Sequence, residues 1–150
     1  FIIGPVYNSQ KKYYKKLINI CKEKKIENVF FLGNRKDIRP LLTRMNIFVC
    51  SSKTESGPMT LWEAMSMAKP VVTTHVGDVN LYIKDGVNGY IVDVGDAKTM
   101  SQRISLLIKD QDLRLRLGTT ARETIVDKFN YTLCAEHHMN VFSQIAENND

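Results

Sequence analysis

Two carboxylates, Glu55 and Glu63, stand on either side of the pair Gly57-Pro58. Gly next to Pro is a helix-start signal, because Pro fits the first helical position and sacrifices no needed donor there. In the helix predicted after it, Leu61, Ala64, Met65 and Ala68 fall at i, i+3, i+4 and i+7. That stripe is built to pack on a sheet. Glu63 lies two residues from Leu61, about 200° around a 3.6-residue helix, and so faces away from the stripe. Glu55 precedes the helix, at the C-terminal end of an apolar strand from Asn46 to Cys50, where open α/β sheets place their binding crevice.

A helix N-terminus offers unpaired N–H groups and a positive dipole end, which together attract phosphate. Pro58 has no N–H, so Met59, Thr60 and Leu61 are the expected amide donors, with the Thr60 hydroxyl beside them. A carboxylate about one turn further on accepts two hydrogen bonds from a ribose diol, and Glu55 offers the same to a sugar. The arrangement reads as a nucleotide-sugar site. The competing reading is plainer: a solvated glutamate on an open helix face, after a Ser-rich loop that does ordinary capping.

The elements that must position these groups follow from the rest of the chain. Apolar runs at Phe1-Ile2-Ile3, Asn28 to Gly33, Asn46 to Cys50, Val71 to Thr74 and Gly89 to Val92 alternate with helical patterns. Continuous apolar strands between helices predict a Rossmann-like α/β fold, a parallel sheet with helices on both faces. The predicted helices include Asn8 to Lys25, with Tyr14, Leu17, Ile18 and Cys21 as its stripe, and a short one from Ile38 to Met45 after Asp37. Three helices follow the last strand. The first is opened by Asp96 and carries Met100, Ile104, Leu107 and Ile108. The second runs from about Asp112 with Leu117, Ala121, Thr124 and Ile125. The third begins near Asn130 and ends in Glu147-Asn148-Asn149-Asp150.

At 150 residues the chain is one domain's worth. Its 43% hydrophobic and 25% charged content is that of a soluble globular protein. No run nears the ~20 apolar residues of a membrane span, and no signal peptide opens the sequence. Cys21, Cys50 and Cys134 are odd in number and sit in apolar contexts, so they read as buried free thiols in a reducing, cytoplasmic setting. Charge is uneven, with eleven Lys and Arg against three Asp and Glu in residues 1–45, and ten against thirteen in the remainder. The lysines of the first helix read as a solvated face or as peripheral contact with an anionic membrane surface. Nucleic acid is disfavoured, since no motif or aromatic platform accompanies them. There is no G-x-G-x-x-G and no P-loop. His137 and His138 are adjacent on a helix and point about 100° apart, a poor arrangement for joint metal ligation. No structural metal is expected.

The motifs resemble a known family. Glu55 and Glu63 form E-x7-E, followed by Ala64-Met65, Lys69-Pro70-Val71-Val72-Thr73-Thr74 and Val76-Gly77. Phe30-Phe31-Leu32-Gly33 and Asp85-Gly86-Val87-Asn88-Gly89-Tyr90-Ile91-Val92 extend the likeness along nearly the whole chain. Together these resemble the C-terminal, donor-binding domain of retaining glycosyltransferases of family 4, which have the GT-B fold.

The resemblance implies that Glu63 holds the ribose hydroxyls of a nucleoside diphosphate sugar. Gly57, Met59, Thr60 and Leu61 then cradle the diphosphate, Asn34 and Arg35 line the base, and Glu55 is the catalytic carboxylate that orients the donor sugar. It also implies that residues 1–150 are a single donor-binding domain cut from a larger two-domain enzyme. The absent N-terminal domain would bring a glycan, lipid or small-molecule acceptor, as in polysaccharide biosynthesis, and no metal or cofactor would be needed. The expected location is cytoplasmic, with contact at the inner face of the membrane. The sequence departs from the family at two places: Glu55-Ser56-Gly57-Pro58 replaces the common E-x-F-G, and Gly77-Asp78-Val79-Asn80-Leu81 replaces G-G-x-x-E. His75, in the same loop, reads as a rim residue. The alternatives are a non-catalytic nucleotide or sugar-phosphate module, and a membrane- or partner-docking domain with a vestigial crevice. An epimerase or phosphorylase on the same fold is a further reading, though no motif supports a pyridoxal-phosphate lysine.

Overall fold

Val71–Thr74 is buried along its whole length. Side chains of a strand alternate between faces, so a strand with every residue buried must be covered on both sides. The computed structural model that shows this describes residues 1–129 and 131–147. Asn130 and residues 148–150, where the third of the C-terminal helices was expected to begin and end, lie outside the described residues.

The chain divides into two compact units, Phe1–Pro40 and the remainder. In the first, β1 (Ile2–Ile3) pairs in parallel with β2 (Phe31–Gly33). The expected helix from Asn8 is split: a 3-10 turn covers Asn8–Gln10, and α1 runs Lys11–Glu23. Tyr14, Leu17, Ile18 and Cys21 form the inward face but are only half-buried where a buried stripe and a buried Cys21 thiol were expected, the lysines are exposed, and the Tyr14 ring meets Phe31 edge-on at 5.3 Å. The short α2 (Arg39–Arg44) contains the boundary between the units. Asp37 receives the Arg39 backbone N–H at 3.0 Å and its guanidinium at 2.8 and 2.9 Å. Those bonds hold the Asp37 carboxyl below its usual value.

In the second unit the order is β3 (Phe48–Cys50), α3 (Met59–Ser66), β4 (Val71–Thr74), α4 (Val79–Tyr82), β5 (Tyr90–Val92), α5 (Ala97–Lys109), α6 (Gln111–Lys128) and α7 (Tyr131–Glu147). The strands form a parallel sheet in the order β3-β4-β5. Its core joins Val72, Tyr90 and Val92 of the sheet to Leu107 and Leu117 of the helices, with Met100 and Ile104 packed against them. Asp96 caps α5 as expected, accepting the Thr99 N–H at 2.9 Å. Asp110 does the same for α6, accepting from Leu113 N–H at 2.8 Å, so that helix begins at Gln111, one residue before the Asp112 start expected.

Several expectations are corrected by packing. Ile108 is exposed, because the buried face of α5 narrows to Leu107 at its last turn. Cys50 is buried but Cys134, on α7, is exposed; all three thiols are free. No residue of α7 is buried, and Met139, Val141, Phe142 and Ile145 stand exposed along it. Among the described residues no helix is long and apolar enough to cross a membrane.

Candidate functional site

The crevice side of the second unit is built by the loops that leave β3 and β4. After Cys50 the chain turns through Ser51 to Pro58 before α3 begins. Pro58 is the N-cap and not the first helical residue. The expected buried stripe is present: Leu61, Ala64 and Met65 are fully buried. Ala68 is not part of the helix, since it adopts φ +54° just beyond its end. Trp62, beside the stripe, is also buried, stacking on Phe129 at 5.6 Å and meeting Tyr82 edge-on at 5.2 Å.

Glu63 is thereby turned outward and exposed. It takes no part in the ion pairs of the described residues, which are Asp37–Arg39 and Asp85–Arg103. At the start of α3 the Leu61 N–H is already spent on Pro58 O at 2.8 Å. Met59 and Thr60 are exposed and supply the open first-turn amides, so the donor set expected at this terminus contracts from three residues to two. The Leu61 side chain serves the core.

Glu55 is exposed, and its orientation is set from below. Ser52 Oγ donates to Glu55 Oε1 at 2.8 Å, and the Cys50 thiol sits 3.6 Å from the same hydroxyl. Ser52 is in turn fixed by buried Thr74, whose hydroxyl donates to Ser52 O at 2.6 Å. Sequence reading missed both supports; the signal available was a polar Thr74 in a strand otherwise fit for burial.

The turn after β4 locks onto the same loop. Gly77 has φ +54°, and a Cβ there would overlap the Ser56 carbonyl oxygen, so no other residue fits. Asp78 N–H donates to Ser56 O at 3.2 Å. His75 N–H donates to Val92 O at 2.8 Å, and the Asn80 side-chain amide is hydrogen-bonded to His75 Nε2. Gly57 packs against the Asp78 carboxylate.

The structure therefore brings together Glu55, Gly57, Met59, Thr60, Leu61 and Glu63 around one helix start. Asn34 and Arg35 belong to the first unit, where they follow β2 as exposed residues after Gly33 at φ +66°. Two carboxylates, two open amides and a hydroxyl suit a polyol-phosphate ligand: the amides take the anion and the carboxylates take hydroxyl groups. Among the described residues no group of three or more His, Cys, Asp or Glu gathers as a metal site would.

The Asn88 of the later motif is buried and structural. Its Oδ1 accepts from Lys84 N–H at 2.8 Å, and its Nδ2 donates to Tyr82 O and to Thr124 Oγ1 of α6, each at 2.9 Å. Asp85 receives Ile91 N–H at 2.9 Å, and Arg103 lies over the Tyr90 ring at 4.6 Å.

Residues 1–124 match the family model described as glycosyl transferases group 1. The lipopolysaccharide core biosynthesis glycosyltransferase LpsE of Rhizobium meliloti is 35% identical over 102 residues, covering 68% of this chain and 30% of that protein. The N-acetyl-alpha-D-glucosaminyl L-malate synthase of Bacillus anthracis is 32% identical over 114 residues, 75% of this chain and 30% of its own. Among solved structures, Anabaena HepE in complex with UDP superposes with a TM-score of 0.90 at 24% identity, over 95% of this chain and 40% of that one. The chain thus has the Rossmann-like α/β fold of that neighbour, and it spans about a third of the length of the curated relatives it matches.

Proposed function

We propose that this chain, which belongs to the group 1 glycosyltransferases, is the single donor-binding domain of a larger, two-domain, retaining hexosyltransferase. The observation that carries the reading is the pair Glu55 and Glu63 flanking the open amides of Met59 and Thr60 at the start of α3. Glu63 takes the ribose diol, the amides and the Thr60 hydroxyl take the diphosphate, and Glu55, steadied by Ser52, orients the donor sugar. Asn34 and Arg35 serve the base. HepE, a structural neighbour, was solved with UDP, with UDP and glucose, and with UDP-glucose, which supports a nucleotide sugar as the ligand class.

In this reading transfer proceeds through an oxocarbenium-like state, and the departing diphosphate is stabilised by helix amides and by cations from outside this chain. No metal takes part. The acceptor, a glycan, a lipid carrier or a small molecule, is brought by a further domain. Relatives named for lipopolysaccharide core and capsular polysaccharide synthesis support a glycan-building setting, and the proposal puts the enzyme in the cytoplasm with peripheral contact at the membrane.

The test is calorimetric titration of the chain with UDP, GDP and ADP, in parallel with Glu63→Ala. One nucleotide is expected to bind preferentially, and Glu63→Ala to weaken it at least about tenfold, the loss of hydrogen bonds to a charged acceptor. Absence of binding at millimolar nucleotide, in this chain and in the full-length protein with the fold intact, overturns the reading.

A further inference from the structure

The two places where the sequence departs from the family's usual pattern meet in space. Gly57 stands where the common motif has Phe, and Asp78 where it has Gly. A Cβ on Gly57 would lie 3.3 Å from Asp78 Oδ2 and 3.5 Å from Oδ1. A large side chain at 57 and a carboxylate at 78 therefore compete for one space.

That anion is held in position from its backbone side. Asp78 N–H donates to Ser56 O at 3.2 Å, and the neighbouring Gly77 is pressed against the Ser56 carbonyl. The carboxylate itself is not satisfied: Oδ1 is buried and has no hydrogen-bond partner among the described residues. A buried charged acceptor without a donor is costly, and one in a folded protein calls for an explanation. Asp78 as a whole is partly exposed, and Oδ1 alone of its two oxygens is buried without a partner, so Oδ2 is the oxygen that a ligand can reach. The loops carrying Asp78 and Glu55 leave adjacent parallel strands at their C-terminal ends, so both carboxylates flank the start of α3.

We propose that Asp78 determines donor-sugar specificity, accepting a hydrogen bond from an uncharged hydroxyl or N–H group of the sugar and repelling a sugar that carries its own carboxylate. This rests on the nucleotide-sugar reading above. It adds a second carboxylate to the sugar subsite and names what the subsite excludes, uronate donors.

The experiment is calorimetric titration of the chain, wild type, Asp78→Asn and Asp78→Gly, with UDP, UDP-glucose, UDP-N-acetylglucosamine and UDP-glucuronate, each variant checked for native circular dichroism. Wild type should bind UDP, and should bind UDP-glucuronate about tenfold more weakly than UDP-glucose, the effect of like charges brought close in a partly desolvated site. Asp78→Asn and Asp78→Gly should leave the UDP affinity within about twofold and shrink the glucuronate penalty to below about threefold. The proposal is overturned if wild type does not discriminate, or if both substitutions leave the discrimination unchanged, as they would were Oδ1 merely hydrated. Failure of wild type to bind UDP itself is a separate result, and it overturns uridine-donor recognition and not Asp78 alone.

Discussion

Ser52 Oγ lies 2.8 Å from Glu55 Oε1 and donates to it, while Thr74, buried in β4, donates its hydroxyl to the Ser52 carbonyl at 2.6 Å. Glu55 is thus tied to the central strand of its sheet through two side chains. In the proposed site the tie acts on Glu55, the carboxylate assigned to the sugar, and on neither the helix amides nor Glu63. Ser52→Ala should therefore separate the two halves of the ligand. UDP affinity should stay within about twofold, and UDP-glucose affinity should fall about fivefold, the worth of roughly 1 kcal/mol for one hydrogen bond at a partly exposed site. Calorimetry with both ligands decides it, and an equal loss for both would show that Ser52 merely supports the loop.

Asn88 makes three hydrogen bonds at 3% exposure, linking the turn before β5 to Tyr82 and to α6. Asn88→Ala strands a backbone N–H, a carbonyl and a hydroxyl. The expected loss is about 2 to 3 kcal/mol in urea unfolding with the slope unchanged. A loss below about 0.5 kcal/mol would mean that water replaces the amide there.

What sequence reading reached, and what it did not, divides along a physical line. The α3 stripe of Leu61, Ala64 and Met65, the Asp96 cap and the buried β4 are local patterns of period or capping, and local patterns are legible. Trp62 with Tyr82 and Phe129 is a cluster of three segments, and nothing in the spacing of these residues announces that they meet. Exposed Cys134 was misjudged because apolar neighbours on α7 suggested burial, while burial depends on what packs against a helix. In the site, the outward placement of Glu63 was legible from the helical repeat. The Ser52 and Thr74 supports and the contact of Gly57 with Asp78 are tertiary facts, and sequence alone held no trace of them beyond the polar Thr74 in an apolar strand and the two departures from the motif.

Asp96 gives the pH dependence a sign. Hydrogen bonds from Thr99, through its hydroxyl and then its backbone N–H, hold the Asp96 carboxyl below its usual value. A depressed carboxyl stabilises the folded state above the unfolded pKa, roughly 3.9, and that stability is lost as pH falls through the lower folded value. The melting temperatures of wild type and Asp96→Ala should therefore differ most at neutral pH and converge below about pH 4. Asp37, also depressed, by its bonds from Arg39, is common to both proteins and cancels in the difference. A gap that stays constant to pH 3 would contradict the assignment.

The end of α3 concentrates two opposed effects at one contact. Ala68 N–H donates to Met65 O at 2.9 Å and Lys69 N–H to Ala64 O at 3.0 Å, the paired bonds of a Schellman ending, whose left-handed position is usually glycine. Here it is Ala at φ +54°, which carries left-handed strain that Gly would not. Ala68→Gly should raise stability by about 0.5 to 1 kcal/mol, since relief of that strain outweighs the added freedom of the unfolded chain. Gly118 of α6 lies against the same residue, and a Cβ there would overlap the Ala68 carbonyl oxygen, a backbone atom that cannot swing aside. Gly118→Ala, favourable in an isolated helix, should instead cost about 1 to 3 kcal/mol by forcing α6 away from α3. Denaturant midpoints of the two variants should move in opposite directions. If Gly118→Ala stabilises the protein, helix propensity outweighs the contact, and α6 is not seated on the end of α3 as closely as the structure places it.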